Sequence, residues 1–165
     1  MLDQIVQAAT SCCGISGGVG LLLVGPTTSF TTSLADRRRS VLAGAQLPER
    51  DGPSVDAFVQ DALFSSVDLA AERRWPAFGQ QATAAGLRAW LSVPLRQRHG
   101  PIGALDLART DPQPWQPQEV ATGGAFARLI MPPWTWLAPA SSRGLARSWS
   151  LPSSMTPGWS RPVGS

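Results

Sequence analysis

Between Ala89 and Ala108 the sequence settles into a strict two-residue alternation, and no other stretch restricts the fold as tightly. Ala89, Leu91, Val93 and Leu95 alternate with Trp90, Ser92, Pro94 and Arg96; Gly103, Leu105 and Leu107 alternate with Ile102, Ala104, Asp106 and Ala108. Successive side chains of a strand point to opposite faces, so this is the pattern of two half-buried strands. The five-residue link Gln97-Arg98-His99-Gly100-Pro101 is polar and carries a Gly-Pro break, which predicts a hairpin with a short loop. Pro94 has no amide hydrogen to give a ladder, so it is expected at a sheet edge or beside a bulge.

The rest of the chain can be placed around this hairpin. Leu2, Ile5, Val6, Ala9 and Cys13 share one helical face, with Gly14 as a C-cap, and predict an amphipathic first helix. Gly17 to Val24 is an apolar run of strand length, Gly25-Pro26 turns the chain, and Thr27 to Leu34 is rich in β-branched residues. These two segments predict a pair of strands. Asp36 caps a short helix to Ala45, and Pro53 or Ser54 suits the first turn of another, along which Val55, Phe58, Val59 and Ala62 face one way. Leu63 to Leu69 is a weaker strand. Trp75 to Ala85 carries Trp75, Phe78 and Ala82 at helical spacing and ends at Gly86. Gln118 to Ile130 forms a last helix, which Gly123 and Gly124 weaken by roughly 1 kcal/mol each. Hairpin-linked strands with helices between them predict an α+β domain built on an antiparallel sheet.

Composition narrows the function. All 14 basic residues are Arg, and Lys, Asn and Tyr are absent, which fits a GC-rich genome. Residues 1–130 hold 11 Arg against 11 Asp or Glu, so the formal charge of +3 lies wholly in residues 131–165. The main domain therefore has no electrostatic bias towards nucleic acid, and no direct nucleic-acid binding by residues 1–130 is expected. The two cysteines, Cys12 and Cys13, are adjacent, so they do not form a disulfide framework. The start Met-Leu-Asp lacks a basic region and no apolar run reaches membrane length. A cytoplasmic location without membrane contact is expected.

Several motifs weaken when their context is weighed. Gly14-Ile15-Ser16-Gly17-Gly18 matches G-x-S-x-G, but a nucleophile elbow needs strand before serine and helix after, and here the order is reversed. His99, the sole histidine, lies in the hairpin turn. A zinc site needs about four ligands, so metal binding is not expected. Cys13 reads as a small core residue, and Arg37-Arg38-Arg39 as a solvated helix face. Arg73-Arg74-Trp75-Pro76 is more suggestive. Two guanidiniums beside an indole at a helix start could hold an anionic or planar ligand, or the arginine stems could simply cover a core tryptophan. No catalytic constellation emerges, and the chain is not expected to be an enzyme.

Three segments occur in a fixed order: Gln46-Leu47-Pro48-Glu49-Arg50-Asp51-Gly52-Pro53-Ser54-Val55-Asp56-Ala57; then Asp68-Leu69 with Arg73-Arg74-Trp75-Pro76-Ala77-Phe78; then Leu91-Ser92-Val93-Pro94-Leu95 with Ile102-Gly103-Ala104-Leu105-Asp106-Leu107. This order resembles the GAF domains that precede RNA-binding ANTAR domains in transcription antitermination regulators. The resemblance implies a GAF-like fold over residues 1–130: a central antiparallel β-sheet, terminal helices on one face and an inserted helix-and-loop region over the other. It implies a small-molecule sensor in bacterial signal transduction, and a possible homodimer through the terminal helices. The cyclic-nucleotide members of the family use an Asn-Lys-Phe-Asp-Glu signature that a chain without Asn or Lys lacks. Bilin attachment usually needs a cysteine well inside the domain, and the Gly-Pro pair, often followed by Cys in this subgroup, is here followed by Ser54. The ligand or cofactor therefore stays unknown. The candidate pocket is Phe58, Trp75, Phe78 and Trp90, with Arg74 at its mouth; the same residues would serve as ordinary core.

Residues 131–165 are different in kind, with four of the seven Trp, six of the fifteen Pro and eight Ser, and no helical or strand period. A disordered tail is expected there, although disorder seldom retains four tryptophans. Nothing in it resembles the ANTAR output domain. A tail read out of its ancestral frame would account for both features. Two readings stay open: a sensory domain whose output domain is missing, and a stand-alone ligand-binding or protein-interaction module.

Overall fold

The structure, a computed structural model, describes residues 11, 15–24, 29–33 (backbone only) and 51–130. The expected first helix with Cys12 and Cys13, the short helix with Arg37-Arg38-Arg39, and the tail lie outside the described residues. Five strands form one sheet: β1 (Gly18–Val24), β2 (Ser29–Ser33), β3 (Phe64–Ser66), β4 (Ala89–Gln97) and β5 (Gly100–Arg109). Their order across the sheet is β2-β1-β5-β4-β3, with every neighbouring pair antiparallel. Three helices are described: α1 (Pro53–Gln60), α2 (Pro76–Ala84) and α3 (Pro117–Ile130). The α+β expectation holds.

The hairpin is tighter than its sequence suggests. Gln97 pairs with Gly100, leaving only Arg98 and His99 in the turn, and a register shift falls between Leu95 and Arg96. Gly100 takes φ 131°, a conformation open to glycine but costly for other residues, and so permits the two-residue turn. Pro94 sits as its missing donor requires. β3 ends opposite Ser92, so β4 has no described strand on its outer side at Pro94. The Leu63–Leu69 strand shrinks to Phe64–Ser66, because Asp68 and Leu69 turn away to meet Arg88: the Leu69 amide donates to the Arg88 carbonyl at 2.6 Å.

The strands are not half-buried, as the alternation suggested; both sheet faces are covered. On one face Val19, Leu21, Leu91, Val93, Leu95, Leu105 and Leu107 pack against Ala127 and Ile130 of α3. On the other, Leu22 and Ala104 pack against Ala57 of α1, while Trp90 and Ala108 pack with Phe78 and Ala82 of α2 and with Trp75, Leu69 and Leu87. α1 buries Val55, Ala57 and Phe58 and ends at Gln60, before Ala62, with Asp61 left-handed at φ 51°. Gly86, at φ 80°, follows α2 and donates its amide to the Thr83 carbonyl, as its sequence position predicts. Close approach also fixes Gly103, where a Cβ would stand 1.9 Å from the Leu22 carbonyl oxygen.

Candidate functional site

The described parts of the three segments that carry the resemblance meet where α1 and α2 cover β4 and β5. At the centre is Asp106, on the face of β5 opposite the aliphatic core and only 3% exposed. Its Oδ1 accepts the Ser92 hydroxyl at 2.5 Å and the Trp90 indole N–H at 3.3 Å; its Oδ2 accepts the Ser54 hydroxyl at 2.7 Å. The Trp90 N–H also reaches the Ser92 oxygen at 3.1 Å. Ser54 stands in the first turn of α1, so one buried carboxylate clips that helix to β4 and β5. Burial pushes Asp106 up to about 6, against the opposing pull of hydrogen bonds from Ser92, Ser54 and Trp90. Gly20 on β1 leaves room beside it: a Cβ there would lie 3.6 Å from the Asp106 Cβ.

Two further carboxylates join α1 to α2. Asp51, just before α1, accepts the amides of Ala77 and Phe78 through Oδ2, each at 3.0 Å. It thereby caps α2, whose own N-cap residue, Trp75, offers no side-chain bond. Asp56, inside α1, accepts the Trp75 indole N–H at 2.7 Å. Asp68 binds Arg88 in a two-point fork, Nε at 3.0 Å and Nη2 at 2.8 Å, and that hydrogen bonding holds its carboxyl below the usual range.

The five expected pocket residues lie on this side of the sheet, and four of them are tightly packed. Phe58, Trp75, Phe78 and Trp90 are between 0% and 5% exposed. Phe78 meets Trp90 edge-on at 5.0 Å, and Trp75 meets Phe64 at 6.0 Å. Arg74 lies with its guanidinium carbon 4.2 Å from the Trp75 ring centre and donates to Glu72 and to the Ser65 carbonyl. The arginine covers the tryptophan, as the packing alternative has it, and holds the Glu72 carboxyl well below its usual range. An open groove of about 470 Å³ borders this corner, with Glu72, Pro76, Gly79, Gln80 and Thr83 in its wall.

Asp106, Ser92, Ser54, Asp51 and Asp56 did not stand out as site residues from sequence. A signal was available: the second set of hairpin positions, Trp90, Ser92, Ala104, Asp106 and Ala108, is too apolar for a solvent face. The other sequence motifs stay apart from the site. His99 is an exposed turn residue, and Ser16 bonds Thr110, their hydroxyl oxygens 3.1 Å apart. Among the described residues no group of three or more His, Cys, Asp or Glu side chains is placed to hold a metal ion. No described helix is long and apolar enough to cross a membrane.

A five-stranded antiparallel sheet with α1 and α2 over one face and α3 over the other is the architecture of a GAF domain. The GAF domain family's sequence model matches residues 1–131, and the chain belongs to that family. No curated protein matches the chain in sequence. Among solved structures it is similar to a type II free methionine-R-sulfoxide reductase from Thermoplasma acidophilum (TM-score 0.62, 14% identity, covering 78% of this chain and 86% of that one). It is also similar to the GAF domain of an Acinetobacter phosphoenolpyruvate-protein phosphotransferase (0.59, 13%, 89% and 82%). A third likeness is to the GAF domain of the cyanobacteriochrome TePixJ (0.53, 15%, 87% and 86%). At these identities the likeness is one of fold.

Proposed function

We propose that this GAF domain is a sensor whose ligand acts on the face beneath α1 and α2. The observation that carries the reading is the set of carboxylates joining the elements there: Asp106 to Ser54, Asp56 to Trp75, and Asp51 to the start of α2. Hydrogen bonds to charged groups, one of them buried and two partly buried, are costly to leave unmade, so these helices have few intermediate positions. A ligand with different affinity for two such positions shifts their populations. Phe58, Trp75, Phe78 and Trp90 supply the apolar wall and Arg74 an anion-binding margin, with entry from the groove along α2. The work is regulatory rather than catalytic.

The system-level role we favour is transcription antitermination in bacteria, because the three ordered segments resemble GAF domains that precede ANTAR domains. A cytoplasmic location and a homodimer through the terminal helices go with it. The second reading is a ligand-binding or protein-interaction module without RNA-binding output. A thermal-stability screen with nucleotides, haem and small metabolites tests the sensor. A true ligand raises the melting temperature by mass action, and the variant Phe78→Ala removes the rise. A screen without any such ligand would refute it. Translating the gene in all frames from codon 125 tests the antitermination role: a helical three-helix pattern in a shifted frame supports it, and its absence counts against it.

A further inference from the structure

The open edge of β4 carries a groove that the sensor reading does not use. It opens where β3 stops opposite Ser92 and β4 continues, between that bare stretch of β4 and the outer side of α3. Its volume is about 380 Å³, within the range of small-molecule sites. Pro94, Ala127 and the 42%-exposed Leu63 give it an apolar lining, and Arg96 and Arg128 bring two guanidiniums to it. Arg96 is committed, donating through Nε and Nη2 to the Asp61 side chain and carbonyl. Arg128 forms no ion pair among the described residues.

Gly124 sharpens this picture. A glycine inside a helix costs about 1 kcal/mol relative to alanine, so its presence needs a packing reason or some other one. Its neighbour Gly123 has the packing reason: a Cβ there would come 3.1 Å from Leu107 Cδ1. Gly124 does not. Apart from its chain neighbours and the helix's own backbone, the one described atom within 4 Å of a Cβ built on it is Arg128 Nη1, at 3.8 Å. The Arg128 side chain thus runs back along α3 and holds its cation over the space that Gly124 leaves open in the groove.

We propose that this groove binds a small organic anion with an apolar body. The carboxylate pairs with Arg128, and the body lies over Gly124 and Ala127 towards Pro94 and Leu63. The site shares no lining residue with the groove along α2. The test is a calorimetric titration of the full chain with octanoate as probe, with octanamide and acetate as its uncharged and bodiless counterparts. Octanoate is expected to bind saturably, and both counterparts more weakly. Arg128→Gln should weaken octanoate by about ten- to a hundredfold, the range of a hydrogen bond to a charged group. Gly124→Leu should fill the groove and abolish binding while melting no lower than the parent, which excludes misfolding as the cause. The proposal is overturned if octanoate shows no saturable binding, if octanamide binds as tightly, or if both groove variants keep parental affinity.

Discussion

Replacing Asp106 by asparagine should change how stability depends on pH, in a direction the buried cluster dictates. The folded carboxyl lies at about 6 against an ordinary 3.8, so the fold holds this proton more tightly than the unfolded chain does. The protonated group's contribution is complete below the ordinary value and is lost as pH rises through about 6. At 1.36 kcal/mol per unit the full loss is about 3 kcal/mol, of which about 2 kcal/mol falls between pH 4.5 and pH 7.5. An asparagine side chain does not titrate, so Asp106→Asn removes that slope. The amide also meets Ser54, Ser92 and Trp90 differently, but this offset is independent of pH. Glu72 titrates with the opposite sign, since Arg74 lowers it and its contribution is lost on acidification. It is present in both proteins and cancels in their difference. Urea unfolding of both proteins at several pH values gives the measurement. The variant should gain about 2 kcal/mol relative to the parent between pH 4.5 and pH 7.5. A difference that stays flat, or that runs the other way, would refute the assignment of a buried, proton-holding Asp106.

Other variants test the remaining contacts. Trp75→Phe keeps the ring but loses the donor to Asp56, and should lower unfolding stability by about 1 kcal/mol or more. Asp51→Ala strips the cap from α2; it should cost about 1 kcal/mol and speed hydrogen exchange at the amides of Ala77 and Phe78 before other α2 amides. Gly103→Ala drives a methyl into the Leu22 carbonyl, where β1 and β5 approach closely, and should cost about 3 kcal/mol or prevent folding, read by circular dichroism. Gly124→Ala meets no such obstacle among the described residues and should raise thermal stability by about 1 kcal/mol.

The sheet was legible in sequence because its signals are local. Period-two alternation placed β4 and β5, a short apolar run placed β1, and β-branched residues placed β2 beside it. Gly86 and Pro53 marked helix ends that the structure shows within a residue or two. What sequence misread depends on the third dimension. The alternation reads as half-buried because Ser92, Pro94, Arg96 and Asp106 are the residue types of a wet face; α1 and α2, distant in sequence, cover that face and bury Ser92 and Asp106. The loop at His99 looked five residues long because polarity marks exposure, while strand pairing reaches through polar Gln97 and Gly100. Trp75, Phe78 and Trp90 share one core cluster, but the carboxylates that join their helices were invisible in sequence. Asp51 lies 26 positions from the Ala77 amide it caps, and no sequence period links the two.

The two faces of the sheet hold their helices by different means, and this bears on which face can signal. α3 rests on the aliphatic core through Ala127 and Ile130, with the Arg109–Glu119 ion pair at its start. Apolar contacts weaken gradually as surfaces slide, so they set a position without defining an alternative one. α1 and α2 also bury apolar side chains, but directional bonds to Asp106, Asp56 and Asp51 fix their registration. These bonds are either made or broken, and each unmade one costs about 1–3 kcal/mol. Asp51 and Asp56 link α1 and α2 to each other, whereas the Asp106–Ser54 bond links α1 to the sheet. Under the proposed sensor reading, a ligand that competes for Asp106 or parts the aromatics acts on the two helices together. It leaves β4, β5 and α3 as the frame against which the movement is read.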